Sequence, residues 1–120
     1  MGIEAIDHVQ LAMPRGEEDR ARAFYAAILG IPEVPKPPDL AKRGGVWFER
    51  NELKVHLGVE TDFRPAKKAH PGFRVRDLDT LLERCKSASF QVSEVEDRAD
   101  GRHAYVDDPF GNRIELVEPA

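Results

Sequence analysis

Three histidines and one glutamate carry the chemistry this chain offers: His8, His56, His70 and Glu115. Imidazole nitrogen and carboxylate oxygen are borderline donors, and a set without thiolate suits Zn, Ni, Co, Fe(II) or Mn. Taken singly, none is unusual, because a histidine on a strand is more often a hydrogen-bonded or surface residue. Their placement is what counts. His8 and His70 open two similar stretches of chain, and His56 and Glu115 close them. The intervals nearly match, 48 residues from His8 to His56 and 45 from His70 to Glu115. Strand parity puts each of the four opposite a face of Val, Leu, Ile or Phe, the face a helix would cover. The expectation is that all four point to one concave side and hold one divalent ion. Open coordination positions on that ion would take substrate oxygens, and the ion would act as a Lewis acid.

The elements that must position these groups come in two rounds. Residues 3–13 alternate, with Val9, Leu11 and Met13 on one face and Ile6, His8, Gln10 and Ala12 on the other. A helix is expected from Glu17, where Ala21, Phe24, Tyr25, Ile28 and Leu29 form one apolar stripe and Gly30 provides a left-handed stop. A short strand at residues 31–34 and a Pro/Gly-rich loop to Gly45 follow. Residues 46–50 and 53–59 read as a hairpin turning at Asn51-Glu52, with Lys54, His56 and Gly58 on the less apolar face. Residues 60–68 form a polar linker. The second round has a strand at residues 70–75, Asp77 as helix N-cap, and a stripe of Leu78, Leu81, Leu82 and Cys85. A short strand at residues 90–92, a loop at 97–101 and a hairpin of residues 102–107 and 112–117 complete it. The order is strand, helix, strand, strand, strand, twice.

The predicted fold is therefore α+β: two βαβββ modules, about residues 1–60 and 68–120, in one domain spanning 1–120. The modules pair into a cupped mixed sheet with helices on the outer face, since neither is large enough to bury its own open face. Parity adds Gln10, Lys54, His103 and Tyr105 to the inner face as pocket residues. His103 and Tyr105 are candidates to donate to a developing oxyanion or to move a proton. Trp47 and Phe48 divide between core and pocket wall. Arg64, Lys67 and Lys68 in the linker would attract an anionic substrate.

Composition narrows the functional classes. The 120 residues are 41% hydrophobic and 33% charged, with a formal net charge of −4 and signs interspersed. No basic footprint for nucleic acid is present, and no apolar run reaches membrane-spanning length. The N-terminal residues show no signal-peptide pattern, and the single cysteine, Cys85, excludes an internal disulfide. A cytoplasmic protein with a small-molecule substrate is expected.

The segment with His8, the helix ending Phe24-Tyr25-Ala26-Ala27-Ile28-Leu29-Gly30, the His70 segment and Asp108-Pro109-Phe110-Gly111-Asn112-Arg113-Ile114-Glu115-Leu116 resemble the vicinal oxygen chelate superfamily. That superfamily includes glyoxalase I, fosfomycin-inactivating thiol transferases, extradiol dioxygenases and bleomycin-resistance proteins. The resemblance spans nearly the whole chain, and the closing Asp-Pro-x-Gly-Asn-x-Ile-Glu-Leu segment is its most specific part. It implies paired modules around a metal, with His8, His70 and Glu115 at the three positions shared by the thiol transferases and dioxygenases. His56 falls where glyoxalase I has a glutamate, which leaves Glu115 as the one carboxylate to ligate and to serve as base. The implied activity is that of a metal-dependent lyase, isomerase or transferase on a small oxygen-chelating substrate, in a homodimer. The alternatives are an Fe(II) extradiol-type dioxygenase using His8, His70 and Glu115 as a facial triad, and a metal-free drug- or metabolite-binding protein.

Overall fold

A computed structural model describes residues 1–120. The chain divides into two compact units, Met1–Phe63 and Arg64–Ala120, and the division falls inside the expected linker. No helix is long and apolar enough to cross a membrane.

The first unit contains β1 (Val9–Met13), α1 (Glu18–Ala21) running on into a π-helical stretch (Arg22–Ala26), β2 (Glu33–Val34), a short α2 (Pro38–Ala41), β3 (Val46–Arg50) and β4 (Leu53–Val59). Its sheet order is β1-β4-β3-β2, with β1 parallel to β4 and the other pairs antiparallel. The second unit contains β5 (Gly72–Arg74), α3 (Leu78–Ser87), β6 (Glu96–Arg98), β7 (Gly101–Asp107) and β8 (Arg113–Pro119). Its order is β5-β8-β7-β6, again with the first and last strands parallel. The repeat seen in the sequence is thus a repeat of topology, two βαβββ modules each built on a four-stranded mixed sheet.

Burial follows the expected stripes. In the first unit Met13, Ala21, Phe24, Tyr25, Phe48, Val55 and Leu57 have no exposed surface. Two adjacent aromatics, Phe24 and Tyr25, go inward together because both lie on the apolar stripe. The helix widens there into a π turn, with Ala27 N–H donating to the Arg22 carbonyl and Leu29 N–H to that of Phe24. Tyr25 then stacks on Phe48 of β3, 5.4 Å between centroids. Each such side chain contributes about 1.5–3 kcal/mol by leaving water. Gly30, at φ +77, ends the helix as expected. In the second unit Leu78, Leu82 and Cys85 of α3 pack with Ala104, Val106, Ile114 and Leu116 of the sheet. The Asp77 carboxylate caps α3 by accepting from Thr80 N–H.

Several elements differ from their sequence expectations. The first strand begins at Val9 rather than Ile3, and β5 begins at Gly72 rather than His70. His8 and His70 therefore sit on the approach to their strands. Alternation continues upstream of Val9, but no neighbouring strand pairs with it, and Ile3 and Ile6 remain exposed. Residues 90–92 form only an isolated bridge, Val92 to Val106. Instead, the second strand of the second module is β6, which overlaps the stretch expected as loop 97–101. It is exposed and charged, and its one strand neighbour is β7.

The turn between β7 and β8 is built on one carboxylate. Asp108 Oδ1 accepts from Phe110 N–H (2.9 Å) and Asn112 N–H (2.8 Å), and its Oδ2 accepts from Asn112 Nδ2 (2.9 Å). Asp108 and Asn112 are both buried. Gly111 occupies φ +91, and a Cβ there would lie 3.1 Å from Pro65 Cγ. Asp108→Ala strands two buried N–H donors and an amide. Urea unfolding should show a loss of about 2–4 kcal/mol, with Asp108→Asn losing less because it keeps an acceptor for the backbone pair.

Candidate functional site

The structure gathers the predicted residues into two groups, one in each unit. In the first unit Gln10 and His56 face each other across β1 and β4, and Trp47 faces His56 from β3. The His56 ring lies flat on the Trp47 indole, 3.8 Å between centroids and 2° between planes. His8 stacks on the histidine at 4.7 Å and 24°. Trp47 is therefore the aromatic on the site side, while Phe48 is core. His56 is 5% exposed, so its nitrogens need partners. Its Nε2 lies 2.7 Å from Glu49 Oε2, which leaves Nδ1 as its one uncommitted nitrogen. His8 is more open. Its Nδ1 lies 2.9 Å from Asp7 Oδ1; an N–H there, donated to the carboxylate, turns a bare Nε2 lone pair outward. A carboxylate behind one ring nitrogen is the usual way a ligating histidine is held in one tautomer. Lys54 is half-buried on β4, with Glu49 as its cross-strand neighbour.

In the second unit the registers place Gly72, Tyr105 and Glu115 in one row. The Pro71 carbonyl accepts from Glu115 N–H (3.0 Å), tying the approach to β5 against β8. His70 is thereby held with its Nε2 2.9 Å from Glu115 Oε1, while its Nδ1 lies 2.8 Å from the Lys68 carbonyl. The Lys68 carbonyl and the Glu115 carboxylate can both only accept, so Nδ1 donates to the first and Nε2 to the second. A proton or a metal cation between Nε2 and Oε1 satisfies both. The 2.9 Å separation is also that of neighbouring donors on an octahedral ion with bonds of about 2.1 Å. Within neither unit are three His, Cys, Asp or Glu side chains arranged to hold an ion. The metal-ready feature is the His70–Glu115 pair.

The other oxygen of Glu115 is occupied. His103 Nδ1 is 2.5 Å from Oε2, and His103 Nε2 is 2.8 Å from Asp100 Oδ1. An imidazole between two carboxylates donates through both nitrogens and is a cation. Glu115 first and Asp100 second hold the His103 pKa above its ordinary value. The same contact, followed by His70, holds Glu115 below the usual carboxylate range. Arg98 Nη1 also approaches Glu115 Oε2 at 3.5 Å, and its Nη2 reaches the Tyr105 hydroxyl at 3.4 Å. Arg98 Nη1 lies 3.4 Å from His103 Nδ1 as well; both are donors, so they share the Glu115 oxygen rather than bond to each other. Tyr105 meets the His70 ring edge-on, 5.5 Å between centroids, and Arg113 lies over its face at 4.1 Å.

Glu49, Asp100, Arg98 and Arg113 were not singled out from the sequence. Arg113 was within reach of it, since parity along β8 puts residue 113 on the face of Glu115. Glu49 and Asp100 carried no such signal: one lies diagonally across a hairpin from His56, and the other lies in a turn that read as open loop. The linker cations Arg64, Lys67 and Lys68 are all exposed, and of the three Lys67 lines a cavity in the second unit.

A family model described as the Glyoxalase/Bleomycin resistance protein/Dioxygenase superfamily matches residues 5–116. The solved structure of a glyoxalase family protein from Bacillus anthracis is similar over 100% of this chain and 98% of that one, at 45% identity and a TM-score of 0.92. The genomically encoded fosfomycin resistance protein FosX from Listeria monocytogenes matches 99% of this chain and 96% of its own, at 18% identity and a TM-score of 0.80. TnmS3, an antibiotic binding protein from Streptomyces, matches 100% and 99%, at 21% identity and a TM-score of 0.77. At these two lower identities the likeness is one of fold. No curated protein matches the chain in sequence.

The paired shifts of His103 and Glu115 set a pH window. A raised histidine stabilises the fold below its ordinary pKa of 6.5, and this is lost as pH climbs through the raised value. A lowered glutamate stabilises above its ordinary 4.5, and this is lost as pH falls through the lowered value. Both contributions are complete between these ordinary values. Glu115→Gln should cost most stability in that window and less on either side, read by urea unfolding at a series of pH values. Histidine NMR should show His103 titrating lower in the variant.

Proposed function

The chain belongs to the glyoxalase/bleomycin resistance protein/dioxygenase superfamily, and from that membership we propose that it is a metal-dependent lyase, isomerase or transferase acting on a small oxygen-chelating substrate. The observation that carries this reading is the His70–Glu115 pair, two donors 2.9 Å apart with the remaining polar atom of each already satisfied. His8 is the third donor, with Asp7 behind it. The ion is one of Zn, Ni, Co, Fe(II) or Mn, and when bound it would supply Lewis acidity to substrate oxygens. His56 joins the set only through Nδ1, because Nε2 is committed to Glu49. Its main part is to support the His8 ring by stacking.

The protein's own groups divide the remaining work. Glu115 is a ligand rather than a strong base, because the His103 cation lowers its proton affinity. His103 has both nitrogens engaged with carboxylates, so it positions Glu115 and fixes which oxygen faces His70. Tyr105 keeps a hydroxyl proton to donate, since Arg98 only donates to its oxygen; it is the candidate acid toward a substrate oxyanion. The reading keeps Gln10 and Lys54 as substrate-pocket residues. The reading includes a cytoplasmic homodimer, in keeping with a buried free Cys85.

Metal analysis of protein purified without chelators should find about one divalent ion per chain. Loaded with Co(II), the protein should show visible bands of a nitrogen- and oxygen-ligated ion. His70→Ala, Glu115→Ala and His8→Ala should each weaken metal binding by about 100-fold, and His56→Ala by less. Substoichiometric metal that added salts do not restore would leave the metal-free binding reading in its place.

A further inference from the structure

The second unit carries an open cavity of about 430 Å³ beside Tyr105, lined by residues that include Lys67, Gln91, Asp107 and Arg113. The proposed chemistry uses none of these four. Arg113 is the notable one. Arg22, Arg98 and Arg102 each pair with carboxylates, but Arg113 makes no hydrogen bond or ion pair and rests only on the Tyr105 ring, 4.1 Å from its centroid. Its register partner on β7 is Asp107, on the same cavity, yet the two do not pair. The contact holds the guanidinium over the ring and engages none of its N–H donors in a hydrogen bond. Lys67 is likewise without a partner. Two cations against one carboxylate give the lining a net positive charge. Ser93 adds little, because its hydroxyl already donates to the Glu94 carbonyl and accepts from Tyr105 N–H.

We propose that Arg113 and Lys67 form an anion-binding subsite in this cavity, taking small organic carboxylates or phosphonates by their charged end. A planar fork held over an aromatic face is suited to two-point contact with such oxygens, and an ammonium nearby adds charge without fixing orientation. The cavity volume lies in the range of small-molecule sites. Arg113 and Glu115 are two residues apart on the same face of β8, about 7 Å by strand rise. Resting on the function proposed above, this spacing defines the substrate further: an organic acid whose anionic group lies about 7 Å from the oxygens that approach His70 and Glu115. The anion subsite itself does not depend on a metal.

The test is a titration of methylphosphonate into chelator-treated, metal-free protein, followed by NMR of the arginine side chains and the β7–β8 amides. Saturable binding centred on Arg113 is expected, weakening as salt is raised. Arg113→Gln should lower affinity by about tenfold or more and Lys67→Gln by about threefold. Arg113→Lys should fall between wild type and Arg113→Gln, which separates loss of the fork from loss of the fold; a melting curve checks each variant. Arg74→Gln, elsewhere on the unit, should bind as wild type. The neutral dimethyl ester of methylphosphonate should not bind. Unsaturable shifts, equal binding of the neutral ester, or an unchanged affinity in Arg113→Gln would overturn the subsite. His70→Ala separates the two proposals: it should lose metal and keep the anion. Anion binding in a protein that takes no metal would sink the proposed function and leave the subsite standing; metal binding without anion binding would do the reverse.

Discussion

The geometry of the second unit depends on the Asp108 carboxylate. Three hydrogen bonds from two residues converge on it inside the protein, so the β7–β8 turn has one conformation. A turn of fixed length fixes register, and register fixes faces, because a slip of one residue sends every side chain to the other side of the sheet. Tyr105 stands opposite Glu115 for this reason. The parallel pairing of β5 with β8 then brings Gly72 into the same row, and His70 follows through Pro71. The first five residues of the segment that looks most like a signature, Asp108 to Asn112, thus serve the turn. Its work is to hold the strand on which the ligand-bearing residue sits.

The first unit is organised differently. Its polar residues are fixed by stacking rather than by a turn. Trp47, His56 and His8 form a three-ring column, and Glu49 satisfies the buried imidazole in its middle. No buried side-chain nitrogen or oxygen is left without a partner. That completeness matters, since an unpaired polar group in a dry interior costs more than a hydrogen bond contributes. The Tyr25–Phe48 stack adds a second constraint, tying the helix to β3, the strand that carries Trp47.

Much of this was legible in the sequence. The βαβββ repeat, the apolar stripes of both helices, the Asp77 cap and the two long hairpins follow from periodicity and turn residues. Parity placed Tyr105 and Glu115 on one face. What periodicity could not show falls into three kinds. The strand β6 is Glu96-Asp97-Arg98, with no apolar side to alternate, so only its backbone pairing reveals it. The π-helical widening leaves the same stripe of residues as an ordinary helix, since Phe24 and Tyr25 both already lay on it. The partners of the candidate ligands, Glu49 and Asp100, come from diagonal and turn contacts that a single strand's pattern does not encode. The starts of β1 and β5 were overextended because alternation describes a strand's faces and says nothing about whether a neighbour exists to pair with it.

The flat contact between Trp47 and His56 has an optical consequence. The chain has one tryptophan, and it lies against an imidazole at 3.8 Å, close enough for excited-state quenching whenever that ring gains charge or changes its tilt. Intrinsic fluorescence of the whole protein is therefore a local report from the column on which His8 rests. A perturbation of His8 reaches the emitter through one intervening ring, with no dye or label attached.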